Sequence, residues 1–445
     1  MKLKESILYR KYGEYTFVYD YKSGTKLLFN DIVYDIFNFF SGFSESEEIT
    51  EYLLTLYTFD SEEEKKNFID DISTFIAYLV SLDIIEENEE AEEKDVVEDE
   101  EDVEDILKTV CDSENILEHA YFELTYRCNE KCIHCYEEHL DNTISDELTL
   151  EEVCDVLEKL KEMGVMEVTF TGGEVAVRKD FIQICEYASL LGFAIHIYTN
   201  GIGFSDQDIQ RLRELNIASI SFSVYSLDEA IHDSITQLKG SLKKTLYSLF
   251  AFKTMGIHTI IKTVVMKQNI SSFSKIVDFC NIMGIKLETS LQLLATDTLD
   301  VRPKQFRLSE VSEYYQCMYY EAKSFGWSGL DNPFKEERKE VCGLGRSINI
   351  SPSGDCFPCN VLNVPVGNVR TDDIRDIWSG EKMEVFRQFN VSQLDIECQK
   401  CDKFKYCLYC PGAMLREMGS MSKHNQVNCI LAQAKKDLFE NMTKE

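Results

Sequence analysis

The stretch HAYFELTYRCNEKCIHCYEEHL, residues 119–140, joins a strand to a cluster of thiols. Its first half, AYFEL, is a short apolar run rich in aromatic residues, the signature of a buried strand. Its second half sets Cys128, Cys132 and Cys135 within eight residues of one another. Runs of the same kind recur downstream as EVTFTGG, AIHIYTNG, SISFSVY, TIIKTVV and LETSLQL, separated by helical segments such as LEEVCDVLEKLKEMG and SLKKTLYSLFAFKTMG. Six strand–helix repeats over residues 119–300 imply an α/β fold with a parallel sheet, and their regular spacing predicts a partial (β/α)6 TIM-like barrel. Ligands of such sheets bind beyond the carboxyl ends of the strands, and the three cysteines fall at that end.

The flanks divide differently. Residues 1–88 read as a small unit of their own: YTFVYD and TKLLFN flank the turn YKSG as a hairpin, and Phe68, Ile69, Ile72, Phe75, Ile76 and Leu79 recur at helical spacing after Ser61. A hairpin with helices predicts a winged-helix-like shape. Residues 89–118 form a linker that begins within EENEEAEEKDVVEDEEDVED, whose like charges extend the chain. Residues 301–340 bridge to a cysteine-rich tail over 341–445. That tail holds Cys342, Cys356, Cys359, Cys398, Cys401, Cys407, Cys410 and Cys429 in loop-rich sequence, so metal rather than an apolar core is expected to hold much of it together.

Composition narrows the function. A chain of 445 residues with 44% hydrophobic content can bury two or three cores. A net charge of −33 repels phosphate backbones and anionic lipid, which argues against nucleic acid and membrane partners. Residues 1–85 carry 8 Lys and Arg against 16 Asp and Glu, or −8, so the winged-helix shape is not expected to bind DNA. The start MKLKESILYR lacks the apolar core of a signal peptide, and FIAYLVSLDII is interrupted by Asp83 and too short to span a bilayer. A cytoplasmic location is expected. Sixteen cysteines in a reducing compartment point to metal or redox chemistry rather than disulfides, with Cys111, Cys154, Cys185, Cys280 and Cys317, mostly among helical segments, read as apolar filler.

Three thiolates on one loop can ligate three irons of a [4Fe-4S] cubane and leave the fourth iron open to a substrate. The spacing also admits zinc, because His134 and His139 stand nearby as a fourth ligand.

Cys128-x3-Cys132-x2-Cys135 after a first barrel strand resembles the signature of radical S-adenosylmethionine (SAM) enzymes. Further stretches match in order. TGGE, with Gly172, Gly173 and Glu174, resembles the motif that meets the amino end of SAM's methionine, where a Cβ would obstruct the approach. Asn200 in TNG and Ser223 in SFSVYS stand where relatives contact SAM's methionine or ribose, and His134 and Tyr136 where the family places an aromatic ring near the adenine. AIHDSITQLKGS, residues 230–241, is similar to the stretch that follows the fourth strand in the family.

The tail resembles the SPASM extension, which carries two auxiliary [4Fe-4S] clusters. That likeness implies Cys342, Cys359 and Cys410 for the first, completed by Cys356 or left open, and Cys398, Cys401, Cys407 and Cys429 for the second. The last gap in the quartet is two residues where the family has three. Residues 1–88 resemble a PqqD-like domain that recognises a leader peptide by adding it as a strand. The resemblance thus implies three [4Fe-4S] clusters, SAM, a precursor peptide, and a reducing donor such as flavodoxin or ferredoxin. It implies hydrogen abstraction by a 5′-deoxyadenosyl radical and, with auxiliary clusters as acceptors, oxidative bond formation. A thioether crosslink is the leading expectation and a carbon–carbon crosslink the next. Sulfatase maturation is marked down, because the position after Cys359 where those enzymes use an Asp base holds neutral Asn360. A non-enzymatic iron-sulfur or zinc scaffold is the remaining alternative.

Overall fold

The computed structural model describes residues 1–40, 46–86, 115–137, 146–296, 299–325 and 341–442. Most of the acidic linker, Cys111 and His139 lie outside the described residues.

The six predicted strands form, and each pairs in parallel with its neighbour in sequence. They are β6 (His119–Glu123), β7 (Glu167–Thr171), β8 (Ala194–Thr199), β9 (Ile217–Ser223), β10 (Thr259–Val264) and β11 (Lys286–Ser290). Because strand side chains alternate, Ala120, Phe122, Val168, Phe170, Ile195, Ile197, Ile220, Phe222 and Ile261 enter the core under the helices. Each such large apolar side chain contributes about 1.5–3 kcal/mol when fully buried. The alternate positions line the concave side with polar groups, among them Thr171, Tyr198, Ser223, Lys262 and Glu288.

Helices between strands begin where the sequence supplies caps. Thr149 and Glu152 form a reciprocal capping box at the start of α4 (Leu150–Glu162), whose Val153, Val156, Leu157 and Leu160 make one buried stripe.

The tail does not form a separate layer. Its strand β12 (Ser347–Ile350) runs parallel to β6, with Ser347 opposite His119 and Ile350 opposite Phe122, and β13 (Asp355–Phe357) and β14 (Gly367–Asn368) continue the sheet antiparallel. Ile348, Ile350 and Cys356 join the barrel core. Asn349 points the other way and donates to Glu123 Oε1 at 3.0 Å.

The N-terminal hairpin forms as read, with β3 (Tyr15–Asp20) paired to β4 (Thr25–Asn30) and β2 (Ile7–Tyr12) on its other side. Ser61 caps α3 (Glu62–Ser81), accepting from Glu64 N. One face of this sheet packs Tyr12, Phe17, Tyr19 and Tyr21 on Met166, Ala194 and Ala218, which stand at the amino ends of barrel strands. Lys26 meets Glu167 Oε1 at 2.6 Å, and Glu167 Oε2 meets His196 at 3.0 Å. The unit therefore closes the end of the barrel opposite the cysteines.

Candidate iron-sulfur and cofactor site

The cysteine loop is held from three sides. Lys131 N and Ile133 N donate to Thr236 O and Ile235 O at 3.1 and 2.9 Å, so the HDSIT stretch grips the loop directly. His232 is buried, accepting from Tyr225 N at 3.2 Å and meeting Ser241 Oγ at 3.1 Å, and Asp233 accepts from Gly240 N and Leu242 N. Ser241 in turn donates to the buried carboxylate of Glu130. On the second side, Arg127 pairs with Glu147 at 2.9 Å, and Arg178 donates to Leu124 O and Leu148 O at 2.8 and 2.7 Å.

The third side is TGGE. Gly173 N donates to Thr125 O at 2.7 Å and Glu174 N to Arg127 O at 2.9 Å. Gly172 has φ +134°, and a Cβ there would stand 2.3 Å from Thr125 O; one on Gly173 would stand 2.4 Å from Arg127 O. The close approach that demands glycine is thus to the chain's own loop, while both glycines also line the cavity. Glu174 turns away from that cavity: its carboxylate accepts from Thr199 Oγ1, Asn200 N and Ala176 N at 2.6, 2.7 and 3.0 Å. Burial raises its pKa to about 7. The structure therefore places Glu174 as an anchor of the TNG loop rather than as a cavity-lining group.

A cavity of about 490 Å³ opens above the loop. Cys128, Cys132, Cys135, His134, Tyr136, Gly172, Gly173, Asn200 and Ser223 all line it. Asn200 also donates to Asn129 Oδ1 at 2.6 Å. His134 packs edge-on against Tyr225 at 4.6 Å, and burial lowers its pKa to about 4, so it is neutral. The far wall carries groups the sequence reading passed over: Lys262 lies 3.6 Å from the centre of the Tyr198 ring and 2.9 Å from Glu288 Oε2. A charged residue at an alternate position of an otherwise apolar strand, as in TIIKTVV, is the signal that marks such inward groups.

The three loop thiols act on one another. Burial pushes Cys132 well up, and Glu130, Cys135 and Cys128 add to the shift; burial likewise raises Cys128 to about 11. Glu130 N donates to Cys128 Sγ at 3.4 Å. The tail thiols fall into two groups. Cys359 and Cys410 are raised by burial, with Cys342 acting on Cys359 and Cys359 on Cys410. Cys398 is raised to about 11 by burial with Cys429 and Cys401 adding, and Cys407 packs against the same cluster of side chains, which Cys410 also borders. Cys356 joins neither group. Its side chain lies in the barrel core and its thiol donates to Gly354 O at 3.8 Å. The strand register that turns Ile348 and Ile350 inward also buries the cysteine opposite Ile350. Completion of the first tail group by Cys356 is therefore not what the structure shows.

The donor set fits iron-sulfur clusters: every described cysteine is a free thiol, and Leu362 N and Ala413 N donate to Cys359 and Cys410 sulfurs at 3.3 and 3.4 Å. Among the described residues no three His, Cys, Asp or Glu side chains converge to hold one metal ion, whereas a cubane takes each thiolate at a different iron and needs no common point. Cys185 and Cys280 lie in the barrel core and Cys317 in a second core, as filler.

Comparison with known proteins finds two matching domains and several similar chains. Residues 122–280 match the radical SAM superfamily, and residues 342–411 match the SPASM iron-sulfur cluster-binding domain. Together these matches support a radical SAM/SPASM enzyme. Among particular proteins, the chain is similar to the AdoMet-dependent heme synthases of Methanosarcina barkeri (24% identity over 314 residues, 65% of this chain and 89% of the relative) and Oleidesulfovibrio alaskensis (26% over 317 residues, 65% and 81%). In fold it is similar to Streptococcus suis SuiB bound to its precursor peptide SuiA, with TM-score 0.63, 15% identity, and coverage of 96% of this chain and 99% of that one. Native anSMEcpe with bound AdoMet follows at TM-score 0.58 and 16% identity, covering 73% and 97%. Among the described residues no helix is long and apolar enough to cross a membrane.

Proposed function

We propose that this chain is a radical SAM maturase of a ribosomally made precursor peptide. The observation that carries the reading is a strand edge in the N-terminal unit that pairs with no other strand among the described residues. Strand β4 is one of the two outer strands of a three-stranded sheet, and a cavity of about 250 Å³ lies over the face of β2, β3 and β4 against the residues that follow α3. An extended leader can add along Thr25–Asn30 with one apolar side chain in that cavity, lined in part by Ile7, Val18, Leu27 and Leu82. The likeness to SuiB with its precursor, which extends over the N-terminal unit, supports the same reading. The leader site and the reaction cavity lie at opposite ends of strands of 5–7 residues, so the peptide must pass along about 20 Å of barrel to reach the chemistry.

Cys128, Cys132 and Cys135 would hold the SAM-binding cluster, Cys342, Cys359 and Cys410 the first auxiliary cluster with one iron free of cysteine, and Cys398, Cys401, Cys407 and Cys429 the second. When bound, the first cluster and SAM supply the 5′-deoxyadenosyl radical that removes hydrogen from substrate carbon. The chain's own part is placement and exclusion of water: Asn200 and Ser223 line the cofactor side, His134 and Tyr136 wall it, and Lys262 and Glu288 face the substrate side. Asn360 lines the same cavity and, being neutral, accepts no proton from a substrate thiol, which turns the reading away from sulfatase maturation.

The product we propose is a thioether between a substrate Cys and another residue's carbon, with flavodoxin or ferredoxin as donor. Mass spectrometry after co-expression with the precursor tests it. Loss of two hydrogens per bond with one thiol consumed is expected. Loss of two hydrogens with every thiol still alkylatable identifies a carbon–carbon crosslink, and an unchanged mass refutes crosslinking.

A further inference from the structure

Helix α14 (Pro411–Met418) begins at Cys410, whose sulfur accepts from Ala413 N, and its N-terminal turn packs Gly412 so closely on Val361 and Leu362 that a Cβ would meet them at 2.9–3.0 Å. This seats the helix on the loop that follows Cys359. Arg416 on that helix is 8% exposed. Its guanidinium lies 5.6 Å from the centre of the Tyr136 ring, and one of its nitrogens donates to Ala295 O at 3.3 Å. Its Nε is buried without a hydrogen-bond partner, and among the described residues no carboxylate stands within ion-pair distance of it. The neighbouring Glu417 is taken by Arg307 and Lys304.

A buried guanidinium with no anion is strongly disfavoured, so this one calls for a negative partner that the described residues do not provide. The helix that carries it begins at one thiol of the first tail group, Cys410, and packs on the loop that follows another, Cys359. Resting on the proposed function, we infer that Arg416 is the counter-charge of iron held by Cys342, Cys359 and Cys410, a positioning and tuning residue set between that cluster and the SAM-side ring of Tyr136. A fixed positive charge beside a thiolate-ligated cluster stabilises its reduced form and raises its potential, in the same direction as the N–H groups aimed at the two sulfurs.

The test is an EPR-monitored redox titration of the reconstituted C128A/C132A/C135A background, which isolates the tail clusters, carrying Arg416, Arg416→Lys or Arg416→Met. The Met variant is expected to lower the midpoint of one auxiliary cluster by at least the equivalent of a tenfold weaker electron affinity, about 59 mV. The Lys variant should stay near the parent. If Met prevents that cluster from assembling while Lys permits it, the charge is required and the inference stands. An unshifted midpoint in a cluster-loaded Met variant overturns it, as does failure of Lys to do better than Met. A shift confined to SAM affinity in the otherwise unmodified protein, with potentials unchanged, overturns it as well. Should the parent background bind no iron beyond traces, the cluster assignment itself is wrong, a result separable from all of these.

Discussion

Replacing Gly172 by Ala asks whether the cysteine loop is positioned by the glycine pair. The new Cβ would stand 2.3 Å from Thr125 O, where ordinary contact begins at 3.4 Å, so the carbonyl must retreat by about 1 Å. That retreat breaks the 2.7 Å bond from Gly173 N and strains the 2.9 Å bond from Glu174 N to Arg127 O. Two hydrogen bonds at about 1 kcal/mol each, added to about 1–3 kcal/mol for a side chain held at positive φ, give about 3–5 kcal/mol. A displacement near 1 Å at a reacting centre lowers rate by about 100-fold. The assay pairs anaerobic thermal unfolding with the rate of 5′-deoxyadenosine release. Gly256→Ala is the control, since Gly256 has φ +81° but nothing within 4 Å of its Cβ position and pays only the backbone cost, about 1 kcal/mol. If G172A matches G256A in both stability and rate, the reasoning fails.

Three further predictions follow from other parts of the molecule. Lys26→Met leaves Glu167 buried with only His196 as partner, so hydrogen exchange in β2–β4 should report about 2–4 kcal/mol less protection, largely restored by adding Glu167→Gln. Lys262→Met should leave SAM affinity and basal SAM cleavage within about threefold while lowering peptide modification more than about tenfold, if the cavity wall that Lys262 lines faces the substrate as proposed; equal loss of both would refute that placement. Cys128 and Cys398 titrate near 11 in the folded metal-free protein against 9.0 unfolded, so the folded state keeps protons that the unfolded chain releases. Urea unfolding of the metal-free protein should therefore show stability that is full below pH 9 and falls from pH 9 to 11, and cluster loading should abolish that slope.

The barrel was legible because its short apolar runs alternate with helical segments at near-regular spacing, and because the cysteine loop marks the end of the first. The interior strand β12 was not: SINI is four residues long, and nothing local says that it pairs with β6, more than two hundred residues earlier in the chain. Cys356 misled for a related reason. Its spacing to Cys359 suits a shared metal, but register in β13 decides where its side chain points, and register is fixed by the hydrophobic pattern of β12 across from it. The motif glycines and the HDSIT stretch were legible as a site, yet their work of holding the loop by backbone hydrogen bonds belongs to geometry that residue type does not encode. Lys262 and Glu288 were visible as charges in strand-like runs, and it is the parallel register of β10 and β11, which sets them directly opposite each other, that pairs them.

The account rests on a three-thiol cluster whose fourth iron takes SAM. Protein reconstituted with about twelve irons per chain, reduced without oxygen and given SAM, should release 5′-deoxyadenosine, and C128A/C132A/C135A should release none while keeping about two-thirds of the iron. Full iron loading with no 5′-deoxyadenosine, or release unchanged in the triple variant, would contradict it.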